Sequence, residues 1–387
     1  MNQISASCLI CCSLLLQSAN SLKADETSFP ASKGEFSQRV VASKSLLSAY
    51  RRLSPTGRVE FERISESASM LNRMLTFGEF MEMLRQSPST ITKEDFSALF
   101  WVFSRSQKPT ITSEKLSAIV KARDERIKSA KVLYEVTTRH RSAGEYKSTN
   151  TFLSDRTKLF WDRTVLVALK GQARERHVLA FDGRTYRDAR AFGDSIEAWD
   201  KGENNVARIQ PLDTPFRFHD RLNPLLLEGI LDDSRRFQST SGSLAQFIDQ
   251  STVFESHEIV GGVPCLMVGN EYRTYYLSEK FGYSIVATKS GHYEFDERIG
   301  RIIKRESYSD QHADDFVDRG DGIWVPIRIH LLNENGNDSE SVTVEVMLCE
   351  INQPIEAKEF VDVIPRGALV TEPSRPESYR WRGTGGN

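Results

Sequence analysis

The chain has 387 residues, of which 39% are hydrophobic and 27% charged, the balance of a soluble globular protein with a sizeable core. Its 51 Lys and Arg residues and 53 Asp and Glu residues leave a net charge of −2. This balance excludes the basic excess that marks a nucleic-acid-binding protein, so we expect no nucleic-acid partner. The length corresponds to roughly two domains.

The N-terminus carries an apolar run, Ala6–Leu16, that has the length of a signal-peptide hydrophobic region and is too short to span a bilayer. Small and polar residues follow, and Leu22-Lys23-Ala24 forms a suitable cleavage site before Asp25. We therefore predict a signal peptide over 1–24 and an exported protein of the periplasm or cell envelope. A signal peptide usually begins with basic residues, but no Lys or Arg precedes the apolar run. The alternative is therefore a cytosolic protein with a buried or disordered N-terminus. No later segment has the length and hydropathy of a transmembrane helix.

Five cysteines occur, and removal of the signal peptide would leave Cys265 and Cys349. An oxidising compartment allows such a pair to form a disulfide. We slightly favour the alternative of two buried thiols on separate strands, because nothing in the sequence brings their Cα atoms within bonding range. Neither a CxxC motif nor a Cys/His cluster with zinc spacing is present, so we predict no metal and no cofactor.

Helical periodicity dominates the next part of the chain. From Phe61 to Leu84 apolar residues recur mostly at three- and four-residue steps, as on one face of a helix, and Gly78 is a candidate kink or break. A second helix is predicted for TKEDFSALFWVFSR (92–105), which starts with a weak capping signal, and a third starts at 112 or 113. These patterns predict a mostly helical region over 25–112.

The hydrophobic period changes to two residues at Lys131, which is typical of strands. Val132, Tyr134 and Val136 fall on one face of the first strand. The apolar segment at 157–170 predicts a strand pair or one bent strand. Asp182-Gly183 then gives the strongest hairpin signal of the chain.

Two helices are predicted midway through the strands, in NPLLLEGILDDSRR (223–236) and SGSLAQFIDQ (241–250). Pro224 suits a first helical turn and Ser243 an N-cap. Strands resume after them, with 278–282 as one hairpin turn, and the predicted ranges are 253–260, 263–268, 271–278, 283–290, 292–297, 301–308, 323–332, 341–351 and 359–363.

The two best strands lie late in the chain. In one, Ile323, Val325, Ile327, Ile329 and Leu331 line a single face. In the other, residues 342, 344, 346 and 348 alternate with 343, 345, 347 and 349. The Pro- and Gly-rich end predicts a disordered tail over 372–387. The fold class is therefore α+β: a long curved antiparallel sheet, an incomplete barrel with helices on its concave side, after a mostly helical N-terminal region.

The order of several short motifs resembles that of a known family. LSAIVKARDERIKSAK leads into the first strand, and AFDGRTYR, GVPCLMV, YYLSEKFGYSIVA, GDGIWVPIRIHL and INQPIEAKEFVDVIPRGALV follow. This order resembles the LolA/LolB-like group of exported bacterial proteins over roughly 113–371. The resemblance implies an incomplete antiparallel barrel that wraps an apolar cavity lidded by helices.

The same resemblance implies a function. It points to a non-enzymatic protein that binds a lipid or lipoprotein acyl chain, in lipid or lipoprotein trafficking at the cell envelope. The alternative is a scaffold with a filled core that contacts another envelope protein and takes no ligand.

No residue pattern recommends an enzyme. The seven histidines show neither metal-ligand spacing nor a catalytic context, and strand histidines such as His177 and His330 are interpreted as surface or satisfied residues. The acidic segment DQHADD (310–315) is interpreted as a solvated loop. The Arg319-Gly320-Asp321 tripeptide is interpreted as a tight turn. We find no phosphate-binding glycine loop and no nucleophile elbow.

Large apolar side chains on or beside the strands are the better candidates for a site. Each one is by itself more consistent with ordinary sheet packing, but their number on neighbouring strands favours a partly apolar cavity. The candidate lining residues are Phe160, Trp161, Phe181, Tyr275, Tyr276, Tyr283, Ile285 and Trp324.

Overall fold

A computed structural model of the protein describes residues 44–71, 75, 77–106, 111–155, 157–193, 205–211, 222–227, 243–269, 273–336, 338–360 and 364–382. The predicted signal peptide lies outside these residues. The chain divides into two compact units. The first unit comprises Met1–Lys108 and Phe295–Ile303, and the second comprises Pro109–Glu294 and Lys304–Asn387.

The N-terminal part of the first unit is helical in its described residues. Its helices are α1 (Lys44–Arg52), α2 (Pro55–Leu71), α3 (Phe77–Arg85) and α4 (Lys93–Ser106). Phe80 is fully buried and stacks on Phe103 with ring centroids 4.2 Å apart. The break between α2 and α3 precedes Gly78, which lies in the first turn of α3, so the predicted position of the kink is wrong by a few residues.

Thr92 caps α4, because its hydroxyl accepts a hydrogen bond from the Asp95 backbone N–H at 3.1 Å. The Asp95 carboxylate is itself buried and accepts hydrogen bonds from the backbone N–H and the hydroxyl of Ser54 at 2.8 and 2.6 Å. The weak capping signal of the sequence is thereby confirmed. Across the described residues, none of the helices combines the length and the hydropathy that crossing a membrane requires.

The second unit is built on strands. The strands of its main sheet are β1 (Ala130–His140), β2 (Gly144–Ser154), β3 (Leu159–Val167), β4 (Glu175–Phe181), β5 (Thr185–Phe192), β6 (Val206–Pro211), β7 (Thr252–Val260), β8 (Val263–Gly269), β9 (Arg273–Ser278), β10 (Ser284–Ser290), β13 (Ser307–Asp318), β14 (Trp324–Asn335), β15 (Asp338–Ile351), β16 (Leu369–Thr371) and β17 (Tyr379–Arg380). Two further strands, β11 (Tyr293–Asp296) and β12 (Arg301–Lys304), pair only with each other.

These strands form one 15-stranded sheet in the order β17-β16-β6-β5-β4-β3-β2-β1-β15-β14-β13-β10-β9-β8-β7. The pairings are antiparallel except that of β16 with β6, which is parallel. The sheet does not close, because β17 and β7 each have one neighbour. The α+β class with a long open antiparallel sheet is confirmed, and so are the hairpin at Asp182-Gly183 and the turn at 278–282.

Three helices of the second unit lie on one face of this sheet. They are α5 (Ser113–Arg126), α6 (Pro224–Leu227) and α7 (Leu244–Gln250). The hydroxyls of Thr112 and Ser243 cap α5 and α7, and the cap at Ser243 and the start of α5 were predicted. Of the first predicted midway helix only α6 is described, since 228–242 lie outside the described residues.

We call the face that carries Val132, Tyr134 and Val136 of β1 the inner face. Helices α5 and α7 share a buried cluster with the inner side of β8–β10, and Leu225 of α6 is buried in a larger cluster on β1–β5 and β13–β15. Tyr275, which packs against the first cluster, is paired in register with a residue of β10, which is paired with a residue of β13. That residue is in turn paired with a β14 residue that packs against the second cluster, so both clusters lie on the same face. The helices therefore cover the inner face, as predicted.

The opposite, outer face of β3–β6 is covered by the C-terminal segment. Val178, Ala180, Ala189 and Ala207 form a buried cluster there with residues of 364–381. The predicted disordered tail is therefore wrong for 372–382, which continue this segment and include β17. The apolar residues within the Pro- and Gly-rich end account for the order, since they bury against the sheet.

Two further predictions are wrong. The segment 310–315, interpreted as a loop, lies in β13, which pairs with β10 on one side and β14 on the other. In β15 the predicted alternation fails near its end: Leu348 is 38% exposed and Cys349 is buried. The cause is a bulge in β15: Leu133 of β1 pairs with Leu348 and Tyr134 with Val346, so Met347 is an extra residue and the side chains beyond it change face.

The segment 157–170 contains the single strand β3, one of the two predicted alternatives, and β2 was not predicted. The predicted strand at 359–363 is replaced over its first residues by a short 3-10 helix, Ala357–Phe360.

Candidate functional site

The structure distributes the candidate lining residues over both faces. Trp161, Phe181 and Ile285 are buried on the inner face, where Tyr275 packs beside Ile285. Tyr283, in the turn before β10, contacts the same cluster.

The remaining candidates lie elsewhere. Phe160 packs in the outer cluster under the C-terminal segment, and Tyr276 points away from the inner face, because successive residues of a strand alternate between faces. Trp324 contacts Phe281, with ring centroids 5.3 Å apart. The assignment of these side chains to one ligand cavity stays a prediction.

The inner face of β1–β4 carries an apolar row. The registers align Val132, Phe152, Trp161 and Leu179 across these four strands, and all four are buried. Strand spacings of about 4.8 Å make such a row a continuous apolar surface perpendicular to the strands. We call this set the apolar row.

The apolar row changes character at β5. Leu179 lies opposite Asp188 of β5, and Asp188 lies opposite Arg208 of β6. The adjacent row of the inner face is polar, because Asn150, Arg163, His177 and Arg190 align across β2–β5. The inner face therefore joins an apolar surface to a charged one.

Six charged or titratable side chains make up this charged surface, which we call the charged patch. Three are guanidinium groups, two are carboxylates and one is an imidazole. The patch consists of Arg163, Glu175, His177, Asp188, Arg190 and Arg208.

The imidazole of the charged patch is paired with a carboxylate. His177 Nε2 lies 2.8 Å from Asp188 Oδ1, and the His177 ring meets Trp161 edge-on with centroids 5.1 Å apart. Burial acts to raise the pKa of Asp188, but the hydrogen bond with His177 and the positive charges of His177, Arg190 and Arg208 outweigh it and hold that pKa below its usual value. Asp188 is therefore ionised at neutral pH.

Arg163 forms the second ion pair of the charged patch. Its Nη2 contacts Glu175 Oε1, and its guanidinium lies over the Trp161 ring at 5.4 Å from the centroid. The arginine is thus held between a carboxylate and an aromatic ring. This arrangement fixes the boundary between the apolar row and the charged patch.

Exposure rises across the charged patch toward the end of the sheet. The side chain of His177 is 11% exposed, that of Asp188 37% and that of Arg190 48%. Val206, which lies opposite Arg190 on β6, is 44% exposed. The charged patch is therefore open to solvent at β5 and β6, whereas the apolar row is covered.

Sequence reasoning missed the charged patch. His177 was interpreted as a surface or satisfied residue, and the second alternative is confirmed, because it is buried and paired with Asp188, but its place beside three arginines was not predicted. A usable signal was present in β5, where Asp188 and Arg190 follow Tyr186 at two-residue steps and so share its face. That signal becomes informative only once Tyr186 is known to be buried on the inner face.

A second concave feature lies on the other half of the sheet. It encloses about 360 Å³ over β10 and β13–β15, and among its lining residues are Lys289, Asp310, His312, His330 and Thr343. The histidines there are already paired with carboxylates; for example, His312 Nε2 lies 2.7 Å from an oxygen of Asp314. Among the described residues no group of three or more His, Cys, Asp or Glu side chains is arranged to hold a metal ion.

The two cysteines of the second unit are free and buried. Cys265 lies on β8 and Cys349 on β15, so the interpretation as thiols on separate strands is confirmed. Burial raises the pKa of each thiol to about 11. Neither cysteine is therefore a reactive thiolate at neutral pH.

Comparison with known proteins gives structural neighbours only. No family model matches the chain, and no curated protein matches it. Among solved structures, a putative outer membrane lipoprotein-sorting protein domain from Vibrio parahaemolyticus is similar at 9% identity and a TM-score of 0.35, over 67% of this chain and 97% of that one.

Two other solved structures are similar to the same extent. A LolA superfamily protein from Nitrosomonas europaea matches at 13% identity and a TM-score of 0.34, over 65% of this chain and 98% of that one. A DUF1329 family protein from Desulfovibrio piger matches at 8% identity and a TM-score of 0.34, over 64% and 95%. These neighbours include members of the group that the motif order resembles, but TM-scores this low support no conclusion about function.

Proposed function

We propose that the protein is a non-enzymatic, exported protein that binds a lipid or a lipoprotein acyl chain on the inner face of its sheet, in lipid or lipoprotein trafficking at the cell envelope. The observation that carries the proposal is the amphipathic inner face, on which the apolar row runs directly into the charged patch. A methylene group contributes about 0.8 kcal/mol when it is buried, so an acyl chain over such a surface gains affinity with length.

Helix α6 covers part of the inner cluster to which the apolar row belongs. The described part of α6 is four residues long and places Leu225 in the cluster, with Leu222 and Leu227 packed beside it. A hydrogen bond from Gln311 Nε2 to the Leu227 carbonyl, at 3.4 Å, joins this helix to β13. An acyl chain supplies the same kind of contact as these leucine side chains and would take their place.

A buried amide supports this reading of α6. Asn223 is fully buried, and its Oδ1 accepts a hydrogen bond from the Leu225 N–H at 3.0 Å. Its Nδ2 has no acceptor within the described part of the chain. A buried amide N–H is stabilised by a hydrogen-bond acceptor, and an ester or carboxylate oxygen of a ligand would supply one.

The chemistry of the charged patch argues against a reaction. Asp188 is held ionised, which is the wrong state for a general acid at neutral pH. Among the described residues, no hydroxyl or thiol is hydrogen-bonded to His177. The patch is thus suited to binding rather than to nucleophilic catalysis.

The first test is the content of the native protein. Protein purified from the envelope of its own organism is examined by native mass spectrometry and by solvent extraction of bound lipid. We expect a stoichiometric acyl-chain ligand. A ligand-free protein that also shows no saturable binding of an added fatty acid would remove the proposal.

A substitution in α6 tests whether this helix covers the ligand site. Leu225→Ala enlarges the space within the inner cluster and should raise the affinity for an added fatty acid severalfold, although it costs roughly 2–5 kcal/mol of stability. Leu99→Ala, a buried leucine of the helical unit, is the matched control and should leave the affinity unchanged. Equal affinities for both variants would indicate that α6 does not cover the ligand site.

A second candidate function rests on the packing of the inner face. The residues of both inner clusters are almost fully buried by the protein itself, as a filled core requires. In that case the protein is a scaffold whose helical unit or inserted helices contact another envelope protein. Cross-linking in intact envelopes discriminates, because a scaffold yields a stable protein adduct where a carrier yields co-purified lipid.

A further inference from the structure

We propose that the charged patch binds the head group of the acyl ligand and that this head group is anionic, a carboxylate or a phosphate. This inference rests on the proposed function and names the class of ligand. Its basis is the charge of the patch, where three guanidinium groups face two carboxylates. An acyl chain with a neutral or cationic head group leaves that excess of positive charge unmatched.

The two carboxylates are already engaged. Glu175 is paired with Arg163, and Asp188 accepts its hydrogen bond from His177. Arg190 Nε is 3.8 Å from Asp188, which is beyond hydrogen-bond distance. The guanidinium of Arg190 therefore retains donors for a ligand.

Arg208 provides the second set of donors. Its charge helps to lower the pKa of Asp188, yet within the described residues it forms no ion pair within 4 Å. An arginine presents five N–H donors in a planar fork that matches a carboxylate or a phosphate in a bidentate manner. Both arginines are exposed, so a head group reaches them without being buried completely.

The register lets both arginines reach one head group. Arg190 lies opposite Val206, and Asp188 lies opposite Arg208, so the two guanidinium groups sit on diagonal positions of adjacent strands. Such diagonal neighbours are about 7–8 Å apart at the backbone, within reach of two long side chains that converge on one anion.

The distance along the sheet fits an acyl chain. Arg208 belongs to the same line of inner-face residues as Phe152, Trp161 and Leu179. Four strand spacings of about 4.8 Å separate Phe152 from Arg208, which is about 19 Å. A chain lying across the strands would therefore place its tail on the apolar row and its head at the exposed arginines.

The experiment compares ligands that share a chain and differ in the charge of the head group. The full protein is titrated with oleate and with methyl oleate, and separately with oleoyl lysophosphatidic acid and monoolein, all below their aggregation concentrations. We expect the anionic member of each pair to bind about tenfold or more tightly, and the preference to shrink as salt is raised. The first pair tests a carboxylate and the second a phosphate.

Substitutions of the two arginines test whether they cause the preference for anionic ligands. The double variant Arg190→Gln/Arg208→Gln should reduce the preference to nearly one, whereas the double variant to lysine should retain a large part of it. The matched control is Arg176→Gln, since Arg176 lies on the outer face of β4 in an ion pair with Asp162. Circular dichroism and thermal unfolding confirm that each variant is folded.

The possible results separate the two proposals. Saturable binding of methyl oleate as tight as that of oleate would overturn the head-group proposal and leave the proposed function standing. A preference for anions that persists in the glutamine variant would also overturn it. Failure of every ligand to bind would remove the proposed function itself.

Discussion

Asp188 is the residue at which the electrostatics of the charged patch can be measured. Its pKa is lowered in the folded protein, so the unfolded chain binds a proton at a higher pH than the folded one. The carboxylate therefore contributes stability above its unfolded pKa of about 3.9, and this contribution is lost as the pH falls through the lower folded pKa.

We expect the urea midpoint of the wild type to exceed that of Asp188→Asn at pH 6, and the difference to shrink as the pH is lowered from about 4 to 2.5. Replacement of Asp249, an exposed carboxylate, by Asn is the control and should show little difference at any pH. A constant difference between wild type and Asp188→Asn over this range would contradict the pairing with His177.

Gly282 is required by the turn between β9 and β10. It has a φ of 60°, and a Cβ added there would lie 2.6 Å from the carbonyl oxygen of Gly322. Gly282→Ala should therefore cost more than the roughly 1–2 kcal/mol of left-handed backbone strain alone. Gly144→Ala is the comparison, because Gly144 also has a positive φ but nothing within 4 Å of its added Cβ. Equal losses in the urea unfolding of both variants would show that the close approach to Gly322 is unimportant.

At the scale of single elements, capping holds α7 in place on the sheet. Ser243 accepts a hydrogen bond from the Gln246 N–H at 2.8 Å, which satisfies one of the free donors at the start of this short helix. Ser243→Ala should lower the free energy of unfolding by about 1 kcal/mol, and Ser243→Asn should restore most of it. Chemical denaturation measures both, and a loss in the asparagine variant as large as in the alanine variant would exclude capping as the cause.

Elements were predictable where local chemistry decides them. The caps at Thr92, Thr112 and Ser243 and the hairpin at Asp182 follow from side chains that bond the backbone a few residues away. Strand β13 was not predictable in this way, because its segment 310–315 is polar apart from Ala313 and becomes a strand through pairing with two neighbours. Partners distant in sequence, which no local pattern records, determine such a strand.

The end of β15 shows the same limit. Leu348 and Cys349 exchange faces because of an irregularity opposite Leu133, more than 200 residues earlier in the chain. A period-two pattern read along β15 alone assigns both side chains to the wrong face.

For the whole molecule, the two compact units have separate cores. Phe80 is fully buried in the helical unit, so Phe80→Ala should cost roughly 3–5 kcal/mol there. In hydrogen exchange we expect faster exchange in α1–α4 and in Phe295–Ile303, with little change in β1 and β15. Exchange that accelerates equally in both units would show that the whole chain unfolds as a single cooperative unit.

The candidate site was only partly predictable at this scale. The apolar half follows from single residues, since Trp161 and Phe181 are large and apolar and lie on strands. The charged half depends on which strands become neighbours, because Arg190 and Arg208 are ordinary surface arginines until β5 and β6 pair. The sequence order of motifs indicated the sheet but not the face on which these charges lie.

The parallel pairing of β16 with β6 affects the order in which the sheet forms during synthesis of the chain. Val370 aligns with Ala207, so a strand near the end of the chain supplies the neighbour of one formed much earlier. During synthesis from the N-terminus, the edge of β6 beside Arg208 lacks its β16 partner until Leu369–Thr371 have been made. During that interval the edge is open to pairing with another chain, and this half of the sheet therefore depends most on protection while it matures.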